Sequence, residues 1–199
     1  MIAKRLFDIL FVIPGIIFLT PVFLICSIWI KFDSEGPVFF RQVRVGQHGR
    51  YFRIFKFRTM VLDAEKQGSK ITVGGDSRIT SSGRFLRKYK LDELPQLFNV
   101  IKGEMSLVGP RPEVPEYVLH YPAEIRDIVL SVPPGITDLA SITFRNENEL
   151  LAKAEDPHQA YIENVLPIKL DYYVKYVSER NIWRDLMLIL RTFFAILNR

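Results

Sequence analysis

The stretch LFDILFVIPGIIFLTPVFLICSIW, from Leu6 to Trp29, is apolar almost throughout, with Asp8 its one charge. A run of roughly 20 apolar residues is long enough to enter a bilayer as a helix. Its start is basic (Lys4, Arg5), as in a secretory signal, but no small-x-small cleavage site follows. Pro14-Gly15 and Thr20-Pro21 fall inside it. Proline withdraws a backbone donor and kinks a helix, and a freed carbonyl at bilayer depth needs another partner, such as the Thr20 hydroxyl. Cations flank both ends: Lys4 and Arg5 before, then Lys31, Arg41 and Arg44 after. The positive-inside rule puts both flanks in the cytoplasm. A kinked, re-entrant helix meets both conditions; a spanning anchor with harmless prolines is the alternative.

Outward from this segment, Lys31 to Pro37 reads as a helix exit and turn. Val38 to Gln42 and Tyr51 to Arg58 read as strands, joined by a hairpin-type loop at Gly46-Gln47-His48-Gly49. In the second strand Phe55 and Phe57 alternate with Lys56 and Arg58, giving one apolar and one cationic face. The commoner meaning of such alternation is a half-buried strand with a solvated face. The functional meaning is a strand that turns Lys56 and Arg58 toward phosphate. A short helix is predicted over 61–67 and a loop rich in Gly, Ser, Thr and Lys over 68–82. A short helical piece over 85–89 follows, among Arg84, Arg87, Lys88 and Lys90.

The most informative polar stretch is Leu91-Asp92-Glu93-Leu94-Pro95-Gln96-Leu97-Phe98-Asn99-Val100. Proline is tolerated in the first turn of a helix, so Pro95 predicts a helix that begins near Asp92 with Asp92 as its N-cap. The surroundings add a functional meaning. A basic cluster precedes the pair, and Gly109-Pro110-Arg111-Pro112 follows it. Prolines on both sides hold an arginine in a fixed pose suited to bidentate phosphate binding. Carboxylates beside phosphate-binding cations suit phosphoryl transfer with a divalent metal: they hold the metal or attack phosphorus, and the cations absorb charge. Neighbouring residues on a helix point about 100° apart, so Asp92 and Glu93 need not share one role.

Taken in order, these stretches resemble the monotopic phosphoglycosyl transferases, the initiating sugar transferases of bacterial glycan assembly. The resemblance rests on the apolar segment with Thr20-Pro21, on Gly36-Pro37-Val38-Phe39-Phe40-Arg41-Gln42 and on Phe55-Lys56-Phe57-Arg58-Thr59-Met60. It continues through Leu91 to Val100, Gly103 to Pro112 and Pro134-Gly135-Ile136-Thr137. It implies that Asp92 is the nucleophile on the β-phosphate of a UDP-sugar, with release of UMP and a covalent phosphosugar intermediate that polyprenyl phosphate then attacks. It implies Mg²⁺ as cofactor and Asp92 and Glu93 as the catalytic dyad and metal-ligand candidates, with Glu93 a metal ligand, a base or a positioning group. Lys56, Arg87 and Arg111 become phosphate contacts, and Thr20 and Pro21 the break of a re-entrant helix. It places the enzyme at the bacterial inner membrane with its catalytic domain facing the cytoplasm. After Thr137 the chain departs from the family pattern, reading Asp138-Leu139-Ala140-Ser141-Ile142 where Gly and then Gln are usual. That segment bears on the donor sugar, which stays open.

Toward the C-terminus, helices are predicted over 166–177 and 183–198. The second has an apolar face of Leu186, Met187, Leu190, Phe193, Phe194 and Leu197, with Arg184, Arg191 and Arg199 on its other side. Core packing and residence in a bilayer interface are both compatible with this pattern. With a lipid substrate expected, the interface is favoured. The net charge of +5 suits anionic lipid, phosphorylated ligands or nucleic acid. The apolar N-terminal segment favours lipid, and nucleic acid is not an expected partner. Cys26 is the one cysteine, so no internal disulfide forms, and His48, His120 and His158 lack metal-ligand spacing. The expected architecture is α+β and mostly helical: a re-entrant membrane helix over 1–32, then a catalytic domain over 33–199 with a small β-hairpin, catalytic helices and interfacial amphipathic helices. The expected partners are the lipid bilayer, a UDP-sugar and polyprenyl phosphate. Oligomeric state is open, a homodimer among the alternatives. A membrane-anchored adaptor with a basic surface is the competing reading, and it leaves Asp92-Glu93 and Gly109 to Pro112 without a purpose.

Overall fold

The computed structural model describes residues 2–64, 76–144 and 147–197. The chain opens with helix α1, Ile2–Asp33, which contains both Pro14 and Pro21. Helical structure continues through Thr20-Pro21, where a break was expected. Thr20 bonds back through its hydroxyl to Ile16 O at 2.9 Å, as such a residue does before a proline that lacks its own donor. One stripe of α1 packs on the rest of the protein: Asp8, Val12, Phe23, Cys26 and Ile30 are buried, with Ile16 and Leu19 half-buried between them. This 3–4 spacing is that of a single helix face. The opposite face is apolar and bare, with Leu6 at 65%, Phe18 at 83% and Phe32 at 88% exposure.

Both ends of α1 are tied down. Near its start Arg5 donates to the carbonyls of Val100 and Ile101. Lys4 Nζ bridges two buried carboxylates, Asp8 at 3.2 Å and Asp185 at 2.8 Å. Asp8 also accepts the Leu107 N–H at 3.2 Å. At its end Arg58 donates to the carbonyls of Ile30 in the last turn and of Ser34 and Glu35 just beyond it. Asp33 accepts from the N–H and hydroxyl of Ser82, both at 2.8 Å.

Strands β1, Phe39–Val45, and β2, Tyr51–Phe57, form the expected antiparallel hairpin, with Phe40 opposite Lys56 and Arg44 opposite Phe52. A 3₁₀ turn at Gln47–Gly49 connects them. Most of the helix predicted over 61–67 and of the loop over 68–82 lies outside the described residues. Within them, Met60 bridges to Ile79, and helix α2, Ser81–Lys88, begins inside the predicted loop. Its cap is Thr80, whose hydroxyl accepts the Gly83 N–H at 3.0 Å. A 3₁₀ turn at Leu91–Glu93 leads into α3, Gln96–Lys102.

A second sheet was not anticipated. Strands β3, Ser106–Val108, and β4, Gly135–Thr137, pair in parallel. At three residues each they are too short to carry a periodic signal. Between them lie two short helices, α4 (Pro115–Val118) and α5 (Ala123–Val129). Helices α6 (Leu139–Thr143) and α7 (Glu147–Leu151) follow, then α8 (Pro157–Ala160), a π-helical turn at Tyr161–Val165, and α9 (Leu166–Glu179). The main core sits where α9 meets α4 and α5, around Tyr117, Val118, Val129, Leu166, Leu170 and Tyr173. The last helix, α10, spans Ile182–Leu197. Its Asp185 is buried against Lys4, while Trp183, Phe193 and Phe194 are exposed.

Candidate active site

Asp92 and Glu93 lie in the 3₁₀ turn, preceded by Lys90 in a left-handed conformation (φ 57°). Asp92 is therefore not the N-cap predicted for it. The helix proper starts after Pro95, and the cap position carries no side-chain bond. Freed from capping, both carboxylates face inward and both residues are buried.

Their surroundings differ. Glu93 accepts from Lys56 Nζ at 2.9 Å and from both terminal nitrogens of Arg111. Asp92 Oδ1, by contrast, is buried without a donor among the described residues. Burial raises the Glu93 pKa, but Arg111, Lys56 and Lys90 together outweigh it and hold that carboxyl well below the ordinary range. Burial, helped by the charge of Glu93, pushes Asp92 up, with Lys56, Lys90 and Arg87 pulling the other way. Two adjacent acids are thus driven apart by environment, the pattern that assigns different tasks to paired carboxylates.

The cations are fixed by the fold. Lys56 points from β2 into this site, so the cationic face of the strand is turned inward here. Burial lowers its pKa more than Glu93 restores it. Arg111 sits between two prolines whose loop is pinned on both sides. Gly135 N–H donates to Pro110 O at 2.9 Å, and Arg44 Nη1 to Pro112 O at 3.0 Å. Glu93 raises Arg111 well above its ordinary value. Arg87 reaches in from α2, its Nε on the Thr59 hydroxyl at 2.9 Å and its charge favourably placed toward Asp92.

Lys56, Arg87 and Arg111 thus converge on Asp92 and Glu93. Arg58 does not: its guanidinium is taken up by the end of α1, and the carboxylate whose charge it feels is Asp33. The alternation of β2 stops at Phe57, so it no longer governs where Arg58 points. Sequence reasoning missed Arg44 as a site-builder. Its position opposite Phe52, on the Lys56 side of the hairpin, is the signal that would have found it. Asp138, in the divergent segment, is buried and caps α6 through the Ser141 N–H at 2.9 Å, while contributing to the field on Arg111.

Among the described residues no three His, Cys, Asp or Glu side chains gather as a metal-ligand set. The donor-free oxygen of Asp92 nevertheless fits a hard cation of the Mg²⁺ type, which is bound through one or two carboxylates plus substrate phosphates. Glu93 would join as a ligand only by yielding part of its ion pairs.

With this geometry in view, comparison with known proteins is decisive for the family. The bacterial sugar transferase family model matches residues 1–199, and the chain belongs to that family. It is 37% identical over 196 residues to the UDP-N-acetylgalactosamine-undecaprenyl-phosphate N-acetylgalactosaminephosphotransferase of Aeromonas hydrophila, covering 98% of this chain and 43% of that protein. It is 38% identical over 197 residues to the UDP-glucose:undecaprenyl-phosphate glucose-1-phosphate transferase of Klebsiella pneumoniae, covering 98% and 40%. To the undecaprenyl-phosphate glucose phosphotransferase of Komagataeibacter xylinus it is 36% identical over 198 residues, covering 96% and 35%. The chain therefore spans about two fifths of the length of these relatives.

Proposed function

We propose that this chain transfers a sugar 1-phosphate from a UDP-sugar to polyprenyl phosphate, through a covalent intermediate on Asp92, as the first step of a bacterial glycan. The observation that carries the reading is the asymmetry of the acidic pair. A nucleophilic carboxylate must keep an oxygen free of tight charge pairing, and Asp92 does. Glu93 instead anchors Lys56 and Arg111.

An Asp92 oxygen attacks the β-phosphorus of the donor, the bond to the α-phosphate oxygen breaks, and UMP leaves with that electron pair. An oxygen of polyprenyl phosphate then attacks the same phosphorus and displaces Asp92. Lys56, Arg87 and Arg111 bind the phosphate oxygens and stabilise charge as it moves, without reorganising at the moment of reaction. Asp92, with Glu93, would hold Mg²⁺, which when bound would further neutralise the diphosphate charge.

The lipid acceptor fits the apolar face of α1. Both ends of that helix are tied to the same domain, by Arg5 at Val100 and Ile101 and by Arg58 at Ser34. This supports a re-entrant helix whose ends share the cytoplasmic side. The exposed Trp183, Phe193 and Phe194 of α10, joined to α1 through Asp185 and Lys4, support residence of that helix in the same interface.

The test is UMP release across a panel of UDP-sugars, with polyprenyl phosphate and Mg²⁺. The wild type is expected to turn over at least one donor and Asp92→Asn none. Full activity in Asp92→Asn would remove the nucleophile assignment.

A further inference from the structure

Gln96 opens α3 one turn beyond the acidic pair, four residues after Asp92 and three after Glu93. Residues 92, 93, 95, 96, 99 and 100 are all buried, and Asp92 and Gln96, four apart, are stacked about one turn from each other. Gln96 is 1% exposed, yet its Nε2 meets no acceptor. The next buried amide along the chain is satisfied in full. Asn99 donates to Arg53 O at 2.9 Å and to Glu104 at 2.7 Å, and accepts the Phe55 N–H at 2.9 Å. A buried amide left unpaired is costly, and such groups concentrate where a ligand or a reaction supplies the partner.

A complementary group stands one turn back. Asp92 Oδ1 is a buried acceptor without a donor, and the Glu93 oxygens are already occupied by Lys56 and Arg111. Resting on the phosphosugar-transfer reading, we infer that Gln96 is a positioning residue for Asp92. The two groups are unpartnered in this structure; when the UDP-sugar binds, the Gln96 amide N–H donates to Asp92 Oδ1, the oxygen that does not attack phosphorus, and so aims the other oxygen at the donor.

The chemistry favours an amide over a cation here. An ion pair as tight as that of Glu93 would hold the carboxylate in place but drain its nucleophilicity. A neutral N–H orients it at smaller cost. The bond serves both half-reactions. Once Asp92 carries the phosphosugar, the oxygen facing Gln96 is the carbonyl oxygen of a mixed anhydride and still accepts. When polyprenyl phosphate displaces Asp92, the Oδ–P electron pair returns to the carboxylate, and the same donor stabilises it as it leaves.

The test compares wild type, Gln96→Leu and Gln96→Glu as full chains in detergent, by UMP-release kinetics and thermal unfolding. Leu keeps the volume without the polar group; Glu keeps the shape and loses the amide donor. Both variants are expected to lower kcat about ten- to a hundredfold, the effect of mis-aiming a reacting group. KM for the UDP-sugar should stay within about twofold, and Tm for Gln96→Leu should be unchanged or raised, since an unsatisfied group has gone. Wild-type kcat in a folded Gln96→Leu, or a loss confined to KM or Tm, overturns the inference while leaving the Asp92 mechanism standing. If Gln96→Leu does not fold, Gln96→Glu carries the same comparison. Absence of UMP release by the wild type, or retention by Asp92→Asn, removes the reading beneath it and the inference together.

Discussion

Asp92 and Glu93 are neighbours in the chain, yet their carboxylates stand in opposite environments: Glu93 lies 2.9 Å from Lys56 Nζ, and Asp92 Oδ1 has no donor. The burial of the two residues is nearly equal, at 8% and 9% exposure, so burial does not separate them. Partnership does. On that difference rests the proposed division between a carboxylate that builds the site and one that reacts in it.

Stability should therefore respond in opposite directions. Asp92→Asn removes a desolvated, unpaired charge and is expected to stabilise the fold by about 0.5–2 kcal/mol, the common gain when an active-site liability is relieved. UMP release should fall on the order of ten-thousandfold or more. Glu93→Gln leaves Lys56 and Arg111 buried without their counter-charge and should cost about 3–5 kcal/mol. Denaturant unfolding of both variants beside the wild type measures this; destabilisation by Asp92→Asn would contradict it.

The pH dependence has a definite sign. The folded-state pKa of Asp92 is raised above 3.8, so its charge opposes folding above that raised value and the penalty disappears as pH falls through it. The Tm advantage of Asp92→Asn is thus expected at neutral pH and should shrink toward zero on acidification. The folded-state pKa of Glu93 is depressed below 4.5, so its contribution is present above 4.5 and is lost only as pH falls through the depressed value. Thermal melts of wild type, Asp92→Asn and Glu93→Gln against pH separate the two trends.

Gly135 is where the Pro-Arg-Pro loop meets β4. A Cβ built there would fall inside the contact envelope of Gly109 N and O, which are backbone atoms and do not move aside. Gly135→Ala is expected to destabilise by about 1–3 kcal/mol, as overpacking does. It should also lower kcat/KM more than stability alone explains, because the Gly135–Pro110 hydrogen bond fixes Arg111. An unchanged kcat/KM per folded molecule would show that Arg111 is held independently of β4.

Lys4 joins α1 to α10 by bridging Asp8 and Asp185. Lys4→Met would leave two buried carboxylates together without their cation, at a cost of about 3–5 kcal/mol. The readout is protease sensitivity of the α1–α10 contact in detergent, which should rise well before activity is lost through the distant Asp92.

The topology is tested by cysteine labelling of Ala3 and Ser34 variants in intact cells. Both positions are expected to resist an impermeant reagent, because each lies beside an end of α1 that is bound to one domain. Labelling of Ala3 from outside would mean a true span.

Much of this was legible in sequence because it depends on neighbours. The apolar run from Leu6 to Trp29, the β1–β2 hairpin, the acidic pair and the proline-flanked Arg111 are local patterns with local physical meaning, and the order of these stretches identified the family. The tertiary structure decided what depends on distant groups meeting. Lys56 reaches Glu93 across 37 residues and Arg111 across 18, while nothing reaches Asp92 Oδ1. Arg58, two residues on from Lys56 and just past the end of β2, binds instead the carbonyls of Ile30 and Ser34 at the end of α1. The three-residue strands β3 and β4 exist only because each finds the other. Periodicity tells which way a side chain leaves the backbone. The group it meets is set by long-range packing, where buried donors and acceptors must find partners or remain, like those of Gln96 and Asp92, in wait for one.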